Sequence, residues 1–232
     1  MGLIGYAEAW ALQKRIVAMR KLDALPDVLL FCEHPHVITL GRNGSRKNLL
    51  ASDSVLRQKN VEFHASDRGG DITYHGPGQI VGYPILNLSA IKRDVGWYVR
   101  MLEETMIRAT CEFGVTAERV AGKTGIWVKA GQSEEKLGAI GVHISRWVTS
   151  HGFAYNSSTD LRFFDLIVPC GIADRKATSL EKLLNRSIEK KGVEALITKH
   201  FGEVFGLQMV ATGKRAFLEK LERAENPVTV TA

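Results

Sequence analysis

A chain of 232 residues suits one large domain, and 45% apolar with 24% charged residues is ordinary for a globular protein. Three widely spaced cysteines, Cys32, Cys111 and Cys170, exclude a disulfide framework and a CxxC zinc or redox site, and they favour a reducing, cytoplasmic setting. The net charge of +6 is scattered rather than clustered, so no nucleic-acid partner is expected. No apolar run approaches the roughly 20 residues of a membrane helix, so no membrane association is expected either. The first residues lack the charged and apolar regions of a secretory signal.

In chain order, Ala9, Leu12, Ile16 and Met19 recur at helical spacing and predict a helix over Tyr6–Lys21. The apolar runs Val28–Cys32 and Val37–Leu40 predict strands on either side of a turn, Glu33–His36, and a basic loop, Gly41–Lys47, follows. Val61–Ala65 and Ile72–His75 read as strands around the turn Arg68–Asp71. His75–Gln79 is a second rigid turn, and Ile80–Leu86 reads as a core strand. Val95, Val99, Leu102, Met106, Ala109 and Phe113 form one apolar stripe of a helix that Gly114 can stop. Gly125–Ala130 and Gly138–Val148 are expected to pair as a hairpin joined by the polar insert Gly131–Glu135. His151–Ser157 is a further strand and Asp160–Leu166 one or two helical turns. Short helices start at Ser179 and span Val193–Val204 and Phe217–Ala224. Strands dominate the first two-thirds and helices the end. This predicts a mixed α/β (α+β) domain, a mixed sheet with flanking helices, rather than a doubly wound nucleotide fold. One domain is expected over residues 1–225, with 226–232 as a tail.

The candidate nucleophile is Cys170, held between Pro169 and Gly171 in a tight turn that can present one side chain. A thiolate attacks carbonyls well and its thioester is a good acyl donor. A nearby cation lowers a thiol's pKa, and Lys136, ahead of the apolar run Leu137–Gly141, is the candidate for that role. The alternative for Lys136 is a solvated residue at a hairpin tip. Cys32 in an apolar strand and Cys111 in a helix read as structural. Arg68-Gly69-Gly70 with Thr73–Gln79 is the densest cluster of glycines and polar side chains, suited to close backbone approach by a ligand. His34 and His36 fit no metal-ligand pattern, so no metal is expected.

Three segments together resemble the lipoyl(octanoyl) transferases: Arg68–Gln79, Lys136–Gly141, and His151–Asn156 followed by Asp160-Leu161 and Pro169–Gly171. The resemblance implies a fold like the catalytic domain of biotin and lipoate protein ligases. It implies transfer of octanoyl from octanoyl-acyl carrier protein to a lysine on lipoyl domains of 2-oxoacid dehydrogenases or the glycine cleavage H protein. By the same match, Cys170 carries the acyl thioester and Lys136 lowers its pKa. Arg68, Gly69, Gly70, Asp71, Ile72, Thr73, Tyr74 and His75, then Ala139, Ile140 and Gly141, then Gly152, Phe153 and Ala154, are implied to bind substrate. No resident cofactor is implied, because the acyl group arrives on the carrier's phosphopantetheine. Backbone amides near Gly141 or Gly76 are both open as oxyanion donors. The rival readings are an ATP-dependent lipoate or biotin ligase, which needs no cysteine, and a non-catalytic module that binds acyl carrier.

Overall fold

The computed structural model describes residues 1–131, 133–168 and 176–227. Helix α1 (Tyr6–Lys21) covers the predicted span and buries Tyr6, Ala9, Leu12, Gln13 and Ile16 along one stripe. Strands β1 (Val28–Cys32) and β2 (Val37–Leu40) follow, then a short 3₁₀ turn at Arg46–Asn48 and helix α2 (Asp53–Gln58), which Ser52 caps by accepting from the Val55 N–H. Strands β3 (Glu62–Ala65), β4 (Ile72–His75) and β5 (Gln79–Ile85) precede helix α3 (Val95–Cys111). Next come β6 (Glu118–Val120), β7 (Lys123–Ala130), β8 (Ser133–Ser145) and β9 (Val148–Asn156). A 3₁₀ segment spans Leu161–Leu166, and β10 (Lys176–Ala177), α4 (Leu180–Leu184), α5 (Lys190–Phe205) and α6 (Lys214–Glu225) complete the described chain.

Among the described residues the strands form two sheets. The larger runs β1-β5-β9-β8-β7-β6, with neighbours antiparallel, and β10 pairs parallel with β8. The smaller runs β3-β2-β4. Residues of β5 alternate between two cores. Ile80 joins Leu102, Met106, Phe153 and Ile197 beneath α3 and α5. Val81, Tyr83 and Ile85 join Leu12, Ile16, Ala154 and Leu221 beneath α1 and α6. Because both faces are covered, every residue of β5 is buried, which is why it reads as an unbroken apolar run. A third core, with Ile38, Leu56, Ile72 and Tyr74, backs the small sheet. No helix of the described residues is long and apolar enough to cross a membrane.

Two readings of the chain need correction. The polar insert expected as a loop is partly strand: Ser133, Glu134 and Glu135 pair with Ala130, Lys129 and Val128. Their charges have tertiary partners, Glu134 with Lys123 at 2.6 Å and Glu135 with Lys182 at 2.9 Å. The strand expected over Gly138–Val148 in fact stops at Ser145 and turns at Arg146-Trp147 to begin β9. Both turn residues have positive φ, 52° and 63°, as the two-residue turn of a tightly twisted hairpin requires. Val95, at the head of the predicted stripe of α3, is exposed, whereas Leu102, Met106 and Ala109 are fully buried.

A non-glycine residue in the left-handed region costs about 1–2 kcal/mol, less for Asn. Arg146 is exposed and takes that conformation. Arg146→Asn is therefore expected to stabilise the fold by roughly 0.5–1 kcal/mol, raising Tm by a few degrees in a thermal melt without altering the fold.

Candidate active site

The larger sheet carries a trough made by small residues. Ala139 lies opposite Ala154, and Gly141 opposite Gly152, in adjacent cross-strand rows of β8 and β9. All four line a cavity of about 520 Å³, within the range of about 300–1,000 Å³ typical of small-molecule sites. Gly152 cannot carry a side chain: a Cβ there would lie 2.2 Å from the Gly82 carbonyl oxygen.

Lys136 reaches this trough because of an irregularity in β8. Ile126 pairs with Gly138 but the next residue, Trp127, pairs with Lys136, so Leu137 is an extra residue. Leu137 is fully buried in the core beneath α3, and Gly138 also faces that side, where a Cβ would meet Met106 Sδ at 3.0 Å. Strict alternation would put Lys136 and Ala139 on opposite faces. The bulge returns Lys136 to the side of Ala139 and Gly141, the re-aiming that bulges perform beside active sites. Its ammonium stands 4.6 Å from the centre of the buried Trp127 ring, a cation–π contact. The indole N–H donates to the Lys123 carbonyl at 3.2 Å, and Lys123 also lies over this ring, at 5.4 Å. The Lys136 backbone is held as well: its carbonyl accepts from the Thr178 N–H at 2.9 Å, and Ala177 of β10 is its parallel partner. The hairpin-tip alternative for Lys136 does not describe this half-buried residue inside a strand.

The roof is the loop 66–71. Arg68 is buried, and its guanidinium donates to the Thr39 carbonyl at 2.8 Å, to Thr39 Oγ1 at 2.9 Å and to the Asp71 carbonyl at 2.8 Å. The Gly69 N–H donates to the Val142 carbonyl at 2.8 Å, bolting the roof to β8. Gly70 has φ +85°, and Gly41 approaches it so closely that a Cβ on Gly41 would lie 2.4 Å from the Gly70 carbonyl oxygen. The Asp71 carboxylate accepts from Asn48 Nδ2 at 2.6 Å and the Ser45 N–H at 3.2 Å, so it shapes the basic loop.

His75 is buried and begins a chain of hydrogen bonds that ends beside Lys136. Its Nδ1 lies 2.7 Å from Gln79 Oε1, Gln79 Nε2 donates to Asn156 Oδ1 at 2.9 Å, and Asn156 Nδ2 donates to the Thr178 carbonyl at 3.0 Å. Gln79 has already spent its amide hydrogens, the other on the Tyr74 carbonyl at 3.2 Å, so His75 Nδ1 must be the donor to its oxygen. Burial, then the neighbouring His34, pulls the His75 pKa down to about 3. The ring is neutral at physiological pH.

The residues expected to bind substrate divide cleanly. Arg68, Gly69, Gly70, Asp71, Ile72, Thr73, His75, Ala139, Ile140, Gly141, Gly152, Phe153 and Ala154 all line the cavity together with Lys136. Tyr74 does not. Its ring stacks on Phe163 at 5.2 Å and its hydroxyl is hydrogen-bonded to His36 Nδ1 at 2.7 Å, in the core of the small sheet. Successive strand residues face opposite sides, so Tyr74 opposes Thr73 and His75 and shares its face with Ile72, which packs in that same core while still bordering the cavity. Gly76 is not among the lining residues, whereas Gly141 is. Cys170 lies outside the described residues. Cys32 is buried and its thiol is pushed up to about 12 by desolvation, so it is inert, while Cys111 is exposed at the end of α3. Among the described residues no group of three or more metal-ligand side chains clusters. Sequence reasoning did not assign Trp127, Tyr6, Tyr83 or His151 to the cavity. His151 stood beside the recognised Gly152, but the aromatic residues carried no local signal.

Fold, trough and sequence relatives agree on the class. Residues 5–202 match the family model of the lipoyl protein ligase A/B catalytic domain. The backbone is similar to that of the bipartite lipoate protein ligase of Thermoplasma acidophilum, with a TM-score of 0.70 over 97% of this chain and 91% of that one at 13% identity. It is likewise similar to a lipoate-protein ligase A bound with ATP, at a TM-score of 0.65 and 12% identity over 92% of this chain and 90% of that one. The octanoyltransferase of Acidobacterium capsulatum is 51% identical over 90% of both chains, and that of Caldicellulosiruptor bescii 45% over 96% of both. The chain belongs to the octanoyltransferase family within that class, and it is an acyltransferase.

Unfolded His75 titrates near 6.5 and the folded residue at about 3. Between those values the unfolded chain binds the extra proton, so this contribution to stability is complete above pH 6.5 and is lost as the pH falls towards 3. His75→Gln should flatten the plot of unfolding free energy against pH by about 1.4 kcal/mol per pH unit, one proton's worth, between pH 6 and pH 4. Urea titrations across that range measure the slope.

Proposed function

We propose that this protein takes an octanoyl group from octanoyl-acyl carrier protein onto Cys170 and passes it to a lysine amine on a lipoyl domain. The observation that carries the reading is Lys136, turned by the β8 bulge into a trough of small residues, in a chain half identical to a named octanoyltransferase. The fold alone does not choose between transfer and ATP-dependent ligation, since a ligase shares it. The sequence relatives favour transfer, and so does the suitability of a thiol for it.

In the first step the Cys170 thiolate attacks the carrier thioester carbonyl, a new C–S bond forms, the carrier's C–S bond breaks, and the leaving phosphopantetheine thiolate takes a proton from the Lys136 ammonium, which is left as a neutral amine. One thioester replaces another, so the exchange is nearly balanced. Lys136 favours the thiolate as a neighbouring cation. In the second step a neutral lysine amine of the acceptor attacks the Cys170 thioester. A C–N bond forms, the C–S bond breaks, and the amine's proton passes through Lys136 to the departing sulfur. An amide is more stable than a thioester, so no ATP is needed. The acyl chain lies over Ala139, Gly141 and Ala154, where the absence of bulky side chains leaves room for it. The chain-side charges suit acidic protein partners: Arg42, Arg46 and Lys47 are exposed on the loop that Asp71 shapes.

Intact-mass analysis after mixing with octanoyl-acyl carrier protein tests the reaction. A gain of one octanoyl group is expected, absent in Cys170→Ala, discharged by a lipoyl domain with its lysine and retained with a lysine-free one. Lys136→Met is expected to slow transfer by about 10²–10⁴-fold, with little rescue in Lys136→Arg, because the planar guanidinium is a poor base. Activity of Cys170→Ala with free octanoate and ATP would establish the ligase reading instead. Reversing Arg42, Arg46 and Lys47 to Glu should lower the rate of association with the carrier and flatten its dependence on salt, while leaving alkylation of the isolated protein's thiols unchanged. An unaltered salt dependence rejects the steering role.

A further inference from the structure

The cavity has an open end and a blind end. At one end stand half-buried Lys136 and Lys123 and exposed Lys176. At the other stand Tyr6, Tyr83, His75 and His151, each with no more than 7% of its surface exposed. Tyr83 belongs to the row of Gly141 and Gly152, because Gly82 pairs with Phe153 and Ile140 with the same residue. Along β8 that row is five residues from Lys136, but the bulge at Leu137 takes up one of them, so the span is four strand spacings, roughly 14 Å at about 3.4 Å per residue. The side chains of Lys136 and Tyr83, which both line the cavity, occupy part of that span. An octanoyl chain has seven C–C bonds of about 1.5 Å, a contour of about 10 Å.

The blind end is built from rings whose polar atoms are already engaged with partners of their own. The Tyr83 hydroxyl donates to His34 Nε2 at 2.7 Å, and His34 Nδ1 lies 2.7 Å from the Ile4 carbonyl. The Tyr6 hydroxyl bonds Ser66 Oγ at 2.9 Å, and His151 Nε2 bonds Asp67 Oδ1 at 2.7 Å. The rings also brace one another. Tyr6 stacks on His75 with centroids 6.3 Å apart and planes 10° off parallel, and His151 meets Tyr83 edge-on at 6.4 Å. His151 holds its place with φ +54°, its N–H donating to Gln13 Oε1 of α1 at 2.7 Å. A longer guest cannot push one ring aside without breaking a buried hydrogen bond, and such bonds are costly to leave unmade.

We infer that Tyr83 and Tyr6 form an end wall that sets the length of acyl chain the enzyme accepts. The inference rests on the proposed acyl transfer. The acyl carbonyl is held near Lys136, the chain runs over Ala139 and Ala154, and its methyl end stops against the tyrosine rings. Shortening a wall residue lengthens the accepted chain, and enlarging a floor residue shortens it.

The test is competition among hexanoyl, octanoyl, decanoyl and dodecanoyl carrier proteins, read as the mass distribution of the acylated enzyme and of the lipoyl-domain product. Tyr83→Leu and, independently, Tyr6→Leu should raise the dodecanoyl-to-octanoyl ratio about tenfold or more, the scale that a few methylenes command in an apolar site. Ala154→Leu should shift the distribution towards hexanoyl. Because each ratio is internal to one variant, loss of folded protein lowers all lengths together and leaves it unchanged, and Tyr6→Leu serves where Tyr83→Leu does not fold. Octanoyl transfer by the unaltered protein with an unmoved ratio in the wall variants overturns the end wall alone. Absence of any acyl transfer by the unaltered protein overturns the proposed function itself.

Discussion

One extra residue in one strand puts an ammonium group and a row of nearly side-chain-free positions on the same side of a sheet. Leu137 is driven into the core beneath α3 by the same apolar burial that holds every neighbouring element there, and Lys136 is turned the other way. Remove the bulge and the lysine points into hydrocarbon while Ala139 and Gly141 keep the trough without it. The cation then rests on Trp127, which removes it from bulk water on one side without withdrawing its charge. Everything proposed for the chemistry depends on that displacement by one residue.

The surroundings make the displacement tolerable. The roof is pinned by hydrogen bonds from the Arg68 guanidinium to Thr39 and Asp71 and from the Gly69 N–H to Val142, which fix its place over the trough. Behind it lies a set of histidines kept neutral by burial: His34, His75 and His151 all titrate below the ordinary range, with the Asp67 contact opposing the shift at His151. Neutral rings with internal partners add no further positive charge to a cavity already lined by Arg68, Lys123 and Lys136. The path His75–Gln79–Asn156–Thr178 carries this order across three strands to the backbone of Lys136.

Much of the fold was legible because its elements are governed by local periodicity. The stripe from Ala9 to Ile16 gave α1, and the unbroken run through β5 reported burial on both faces. Ser133-Glu134-Glu135 misled because composition alone suggests a loop, whereas the charges are neutralised by Lys123 and Lys182 from elsewhere in the chain. Arg146-Trp147 carries no Gly or Asn to announce its turn, so the first strand reads on through the turn to Val148 and the second starts three residues late, at His151. At the site, the glycines and Lys136 were visible as a motif, but Tyr74 within the same motif faces the other way. The bulge was not legible: Leu137 looks like any other apolar strand residue, and only pairing with β7 shows it to be supernumerary. Nor was the end wall, whose parts come from α1, β4, β5 and β9 and meet only in the folded chain.

The proposed chemistry requires that Lys136 lower the pKa of the Cys170 thiol, and the pH dependence of alkylation reads that effect directly. Iodoacetamide labelling of each cysteine, followed by peptide mass mapping, separates Cys170 from inert Cys32 and exposed Cys111. Cys170 in the unaltered protein is expected to react with an apparent pKa below the value of about 8.5 for a free thiol, and Lys136→Met to raise it. The same pKa in both proteins, at or above that of a free thiol, would contradict it.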